Sequence, residues 1–464
     1  MMVKRLIIFS ILASLLVTTG LGCKGGSSEA QQASLIQIDL EYWRVFDDSN
    51  ALDDIIAAYR TIHPNVNIKV KKMRFDEYED ELILAFAEGR GPDIFSIHNT
   101  WLGKYQTLIT PMPETVTLVY NEEQGTLKKE IVPVIREQSM ISIRQAQTNF
   151  VDVVSKDVIQ PYQADNKSAS EERIWGLPYS MDTLALFYNK DLLNNAGIAQ
   201  PPGSWQEFQE DVQAITLLDL NGNIVQSGAA LGTTENVERA FDIVSLLMMQ
   251  NGTPMTSGSG SATFAGVPEG SSSRIPPALS AIEFYTDFAN PVKIVYTWNE
   301  DQPNSFDAFA NGTSAFFLGY SYHTPLLRAQ SPKLNFNIAP VPQISDSKSV
   351  NYANYWIETV AKTSESTDYA WDFINFAADA NQVPLFLEVA KKPTALRSLI
   401  NTQLEDLDLS VFASQVLTAV SWYQGNDVAV AEEAVLDLVA DYLTGLEKPE
   451  ANLAIAQSKV NQTL

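Results

Sequence analysis

An α/β protein of more than one domain is predicted by three features of the 464-residue chain. Its first third alternates strand and helix signals, a second α/β stretch opens at Leu184, and a single cysteine rules out any disulfide within the chain. About 440 residues beyond the N-terminal leader are ample for two or three domains held by hydrophobic cores alone.

"LIQIDLEYW" alternates apolar and polar residues as a half-buried strand and runs into the polar loop "RVFDDSN". Leu52, Ile55, Ile56, Tyr59 and Ile62 then recur at helical spacing, with Ser49 or Asn50 placed to cap and Pro64 to stop the helix. Val66, Ile68 and Val70 predict a second strand. Asp76 is the expected cap of a helix carrying Tyr78, Leu82 and Phe86 and ended by Gly89, and "PDIFSI" supplies a third strand. This is a βαβαβ unit with a parallel sheet, in which ligands meet the loops at the carboxyl ends of the strands. Those loops are residues 44–49 and 98–105.

Signals weaken over residues 106–172. Residues 142–159 read as helical, and "QADNKSASEE" reads as an exposed loop. In "WGLPYSMDTLALFYNKDLL", the apolar run Leu184–Tyr188 has the pattern of a buried strand, yet Tyr179 and Asp182 stand just upstream. A carboxylate entering a buried strand must find partners or hold its proton more tightly. Ser204-Trp205-Gln206-Glu207 is a capping box that opens a helix. "DLNGNIVQSG" has its glycine at the fourth place rather than the sixth of a calcium loop, so a hairpin turn is expected there. "SGSGSATFAGVPEGSSS" reads as a surface loop.

The chain opens with Lys4 and Arg5, an apolar run from Leu6 to about Thr18, and small residues before Cys23. This is a signal peptide over residues 1–22. Cys23 is followed by a Gly/Ser-rich stretch, so residues 23–35 are expected to be a flexible tether. The segment resembles a lipobox, in which the cysteine takes the lipid, although Gly20 stands where that pattern prefers leucine. The alternative is an ordinary secreted protein with a stray thiol. With 31 basic and 56 acidic residues the formal net charge is −25, which argues against nucleic acid and against a basic membrane-binding face. His63, His98 and His323 are scattered without metal-ligand spacing, so no metal and no cofactor are expected.

Six blocks in order resemble the extracellular solute-binding proteins of the maltose-binding-like family, the capture subunits of ATP-driven importers. They are "DIIAAYRTIHPNVNIKV", "AEGRGPDIF", "GLPYSMDTLALFYNKDLLNNAGI", "PPGSWQEF", "FANGTSAFFLGYSY" and "AWDFINF". The resemblance implies a two-lobe clamshell, each lobe a mostly parallel sheet flanked by helices. The expected division is 36–180 and 357–400 for the first lobe, and 184–352 and 401–464 for the second. It implies a sugar or oligosaccharide ligand, permease subunits as partners and a monomer; with the lipobox-like segment at Cys23, a lipid-anchored place in the cell envelope, outside the cytoplasm, is expected. It also puts Asp182 at the first chain crossing, where the family's acidic residue reaches a sugar hydroxyl; the alternative is an aspartate tied to a nearby amide or arginine at the hinge.

Sugar clefts combine carboxylates and amides with aromatic rings, which stack on the C–H faces of a pyranose. In the first lobe the candidates are Trp43, Arg44, Asp47 and Asp48 after the first strand, and Asn99 and Trp101 after the third. A local Arg44–Asp47 ion pair is the bland alternative. Tyr179 precedes the crossing. In the second lobe Tyr320 and Tyr322 follow a buried strand, and Gly319-Tyr320 matches the family's glycine–aromatic contact. "NYANYWIETVAK" matches the second crossing but carries Tyr352, Asn354, Tyr355 and Trp356 where relatives have small residues. Trp422 closes the set. Trp205 and Trp371 are assigned to packing. A secreted hydrolase would need a carboxylate pair from Asp47, Asp48 and Asp182, and an iron carrier would need more than Tyr320 and Tyr322, so binding without catalysis is the expected activity.

Overall fold

The computed structural model describes residues 28–46, 50–126, 128–164, 167–258, 260–344, 348–445 and 448–464. The signal segment, Cys23, Asp47 and Asp48 lie outside them.

The N-terminal unit forms as its periodicity predicts. Strands β1 (Ile38–Val45), β2 (Val66–Met73) and β3 (Ile94–His98) are linked by the helices Asp53–Ile62 and Phe75–Ala87. Both β2 and β3 pair with β1 in parallel. The caps differ from expectation. Leu52 and Arg74 occupy the N-cap positions without a side-chain bond to the helix amides, while Asp53, Asp54, Asp76 and Glu77 sit in the first turns. There they favour the positive end of the helix dipole.

The weakly patterned region holds a two-stranded ribbon that periodicity did not predict, β4 (Thr115–Gln124) with β5 (Glu130–Ser139). The expected helix over 142–159 is broken into Ile143–Asn149 and Asp152–Val158, because Phe150 and Val151 are extended. Within the expected tether, Glu29–Ala33 forms a short helix closed by a Ser28–Gln31 capping box. A second small ribbon pairs β6 (Ile159–Tyr162) with β7 (Glu171–Ile174).

The chain then passes through β8 (Asp182–Thr183) into β9 (Ala185–Asn189). A hairpin follows, β10 (Leu217–Leu218) with β11 (Ile224–Ala229), turned at Asn221-Gly222 where Gly222 has φ 86°. Asp219 Oδ1 accepts from the amides of Asn221 and Asn223, so the turn closes on its own carboxylate and not on a calcium ion's ligand set. With β12 (Ser314–Gly319) and β13 (Phe336–Pro340) these strands make a sheet of order β10-β11-β12-β9-β13. Leu184 and Leu186 point into one apolar cluster, Ala185 and Phe187 into another. Both faces are covered, which is why the run is apolar without alternation.

Two last crossings return the chain. β14 (Asn351–Asn354) pairs with β8 and with β16 (Ala419–Val420), and β15 (Trp356–Val360) adds to the first sheet antiparallel to β3, giving β15-β3-β1-β2. One core gathers side chains from Leu40 to Met181 and again from Ala353 to Ala419; the other gathers those from Leu184 to Tyr352 and from Trp422 to Val460. The three-stranded sheet β16-β14-β8 lies where the chain leaves one core for the other.

Candidate ligand-binding site

The carboxyl ends of β1 and β3 and the start of β15 meet at one edge of the first sheet. Trp356 is the register partner of His98 there. Its indole stands edge-on to Trp101 (5.3 Å between centroids, 74°), Phe46 (5.9 Å, 72°) and Phe75 (6.2 Å, 89°). Phe46 and Phe75 stack on each other at 5.6 Å and 19°. Phe46 ends β1 with a left-handed backbone, φ 53°, uncommon for a bulky residue. Phe46 and Phe75 remain 47% and 51% exposed. The result is an aromatic platform with two rings open to solvent.

Polar groups flank it. His98 Nε2 lies 3.3 Å from Asn354 Oδ1, and its Nδ1 lies 2.8 Å from Thr100 Oγ1. Burial, aided by the charge of Arg239, pushes the imidazole down to about 4, so it is neutral near pH 7. Arg239 and Asp242 belong to the second core's elements, so His98 senses that core's charges. On the second side, Tyr322 is 42% exposed and stacks on Tyr320 at 5.9 Å and 21°. Gly319 makes this turn possible: a Cβ there would lie 2.5 Å from the Phe317 ring and 2.7 Å from His323 Nδ1.

Among the described candidates, Trp101, Asn354 and Trp356 gather around His98, Tyr322 stays partly exposed on Tyr320, and the others are buried. Asp182 was expected to meet a ligand. Instead its Oδ2 accepts from the Ser321 amide (2.9 Å) and Oγ (2.6 Å), and its Oδ1 accepts from the Thr183 amide (2.9 Å). The expected Arg44–Asp47 pair involves a residue outside the described ones; among the described residues Arg44 meets a different carboxylate. It faces Glu358 at 3.3 Å in the interior, with its guanidinium against the Tyr179 and Phe386 rings, and Ser96 Oγ donates to the same carboxylate. Trp43 is buried, with the Lys71 ammonium 4.0 Å from its ring centroid. Tyr320 is fully buried and donates to Asp242 at 2.5 Å. Trp422 packs on Phe241 and Phe264 and donates to Ser245 Oγ.

Asn99 and Tyr355 share a partner the sequence did not reveal. Both donate to Asp157 Oδ2, at 3.2 and 2.7 Å. Ser421 Oγ lies 2.6 and 2.8 Å from the two oxygens of the same carboxylate, and Gln424 Nε2 donates at 2.8 Å. Burial raises the Asp157 carboxyl above its ordinary range, and these four donors oppose the shift. Gly103 lets the two segments approach, since a Cβ there would meet the carbonyls of Gln424 and Gly425 at 2.6 Å. Asp157 is therefore a brace between the first core and the segment after β16.

Asp182 carries a pH dependence. Burial pushes its carboxyl up to about 6, against the pull of the Ser321 and Thr183 donors. A carboxyl raised above its unfolded value favours folding at pH below that value, and the contribution is lost as pH rises through the folded one. Wild-type stability relative to Asp182→Asn should therefore fall between about pH 4 and pH 6 and level off above. Urea unfolding at a series of pH values checks this; a difference flat across the window would remove the assignment.

Sequence reasoning did not single out Phe46, Phe75 and His98, which gather around Trp356, or Arg239, whose guanidinium lies over Tyr320. The loops holding Phe46 and His98 were marked, but nothing local distinguishes Phe75 or Arg239 from ordinary helix ends.

Comparison with known proteins agrees with this architecture. A family described as bacterial extracellular solute-binding protein matches residues 46–383. The chain is 20% identical over 432 residues to the galactooligosaccharide-binding protein of Bacillus subtilis, covering 90% of this chain and 86% of that one. It is 22% identical over 327 residues to an sn-glycerol-3-phosphate-binding periplasmic protein of Pectobacterium atrosepticum, covering 69% and 63%. A crystal structure of a cyclo/maltodextrin-binding protein complexed with maltotetraose superposes with a TM-score of 0.68 at 16% identity, over 91% of this chain and 96% of that one. At that identity the likeness establishes the two-lobe fold. The match across most of the chain places this protein in the family of bacterial extracellular solute-binding proteins.

Proposed function

We propose that the chain is the substrate-binding component of an ATP-driven importer, and that it captures a sugar or oligosaccharide between its lobes. The observation that carries this reading is the platform of Trp356, Trp101, Phe46 and Phe75 beside His98 and Asn354. Flat apolar rings suit the C–H faces of a sugar, and neighbouring amide and imidazole groups suit its hydroxyls. Two of the ligands named for similar proteins, galactooligosaccharide and maltotetraose, belong to this class, and the third, sn-glycerol 3-phosphate, shares its hydroxyls. In this proposal residues 36–180 and 357–400 form the first lobe, residues 184–352 and 401–464 the second, and β8, β14 and β16 the hinge.

A ligand touching both lobes stabilises the closed form only by its differential affinity for it. Permease subunits of the membrane would then recognise the closed pair of lobe surfaces. The test is a melting-temperature screen against glucose- and galactose-based mono- to tetrasaccharides. A binder at a hundred times its Kd adds about 2.7 kcal/mol. The same binder should shrink the radius of gyration in small-angle scattering. An unchanged radius at saturation removes the clamshell mechanism, and a panel without a single stabiliser removes the sugar.

The proposal includes a lipid on Cys23, holding the mature protein at the outer face of the membrane. Cys23→Ser should shift the protein from the membrane fraction to the soluble extract with its melting temperature unchanged. Retention of the variant on membranes would show that the lipid is not the anchor.

A further inference from the structure

Over the Tyr320 ring lies a guanidinium held in an unusual way. Arg239 precedes the helix Ala240–Gln250 with φ 58° and ψ 30°, a left-handed conformation that a long side chain rarely adopts. Its neighbours hold it there. The Glu238 amide donates to Ser305 Oγ at 2.9 Å, and Arg239 Nε and Nη2 both reach Asp242 Oδ2 at 2.7 Å. The Tyr320 ring lies beneath the guanidinium at 5.9 Å, and Tyr320 Oη donates to the same Asp242 oxygen. Asp242 is buried, but the Arg239 side chain keeps 33% of its surface exposed. A guanidinium has five N–H groups. Asp242 engages two, so others remain for a ligand, and the platform is near: Tyr320 adjoins Ser321, whose amide donates to Asp182, the register partner of the Asn354 that meets His98.

The charges around this arginine are acidic. Asp242 already neutralises it, Glu238 lies next in the chain with its carboxylate 3.1 Å from His323 Nε2, and Glu432 faces the pair from the helix Val428–Thr444. Burial raises the Glu432 carboxyl to about 7, with Arg239 opposing, so it is partly ionised near neutral pH.

We propose that Arg239 is a ligand-binding residue of the cleft and that, with Glu238, Asp242 and Glu432 beside it, it selects neutral sugars over phosphorylated or carboxylated ones. The proposal rests on the sugar-capture reading above. A hydroxyl can accept from the free N–H groups of Arg239 and donate to a neighbouring carboxylate at the same time. A phosphate can only accept, and would leave its charge against the carboxylates that flank the arginine. An arginine bare of acidic partners would read the opposite way.

Calorimetric titration of the whole mature chain tests this, with neutral tri- and tetrasaccharides of glucose and galactose and with their 6-phosphates. The neutral probe that binds should do so at least a hundredfold more tightly than its phosphate. Arg239→Lys keeps a cation beside Asp242 but loses the planar fork, and should weaken the neutral probe at least tenfold at a temperature below its own melt. Glu432→Gln should narrow the gap between neutral and phosphorylated probes. Equal or tighter binding of the phosphate, or unchanged neutral affinity in both Arg239→Lys and Arg239→Gln, overturns the assignment. Failure of every probe on the unsubstituted chain overturns the sugar reading beneath it.

Discussion

Glu358→Ala should destabilise the protein by about 3–5 kcal/mol, the largest single-residue loss expected here. Glu358 and Arg44 are both buried, 3.3 Å apart, on neighbouring parts of the first sheet. Removing the carboxylate takes the Glu358 charge from a guanidinium held among the Tyr42, Tyr179 and Phe386 rings and takes an acceptor from Ser96 Oγ. The pair itself contributes little net stability, because desolvating two ions offsets most of their attraction. The double variant Arg44→Met, Glu358→Leu should therefore recover more than half of the loss. Urea unfolding of the two variants decides it. A single-variant cost below about 1 kcal/mol would mean that water reaches the pair.

Trp356→Ala should weaken sugar binding by about 1.5–3 kcal/mol, roughly tenfold to a hundredfold in Kd. The indole is the ring that Phe46, Phe75, Trp101 and Tyr78 all touch, so its loss removes stacking area and frees its neighbours to rotate. Because it is half-buried, some stability goes with it, about 1–2 kcal/mol, less than for a fully enclosed tryptophan. Phe75→Ala separates the two effects. That ring is half exposed, so its truncation should cost affinity with little change in melting temperature. If calorimetry shows Trp356→Ala and Phe75→Ala both binding as tightly as wild type, the platform is not the sugar site.

The parallel arrangement of β1, β2 and β3, the buried strand at Leu184, the Ser204–Glu207 capping box and the turn at Gly222 were all legible in the chain. Each depends on residues within a few places of one another, where helical or strand period and turn chemistry act directly. The ribbon β4–β5 was not legible. Pro133 and the charges at Glu122, Glu123, Glu130 and Arg136 blur its alternation, and the pairing of its strands fixes it.

Side-chain destinations at the strand ends could not be read at all. Trp43, Arg44 and Phe46 stand within four residues, yet one packs under Lys71, one meets Glu358 and one stacks on Phe75 open to solvent. The partners that decide this lie far along the chain, 314 residues away for Arg44–Glu358 and 264 for Asp157–Ser421. By itself the sequence determined the α/β class, the elements with strong period and the family resemblance. Only the tertiary structure decided which aromatic rings gather around Trp356 and which carboxylates are braces. Burial and charge pairing are set by what the fold lays against a residue, and those neighbours leave no trace in its local pattern.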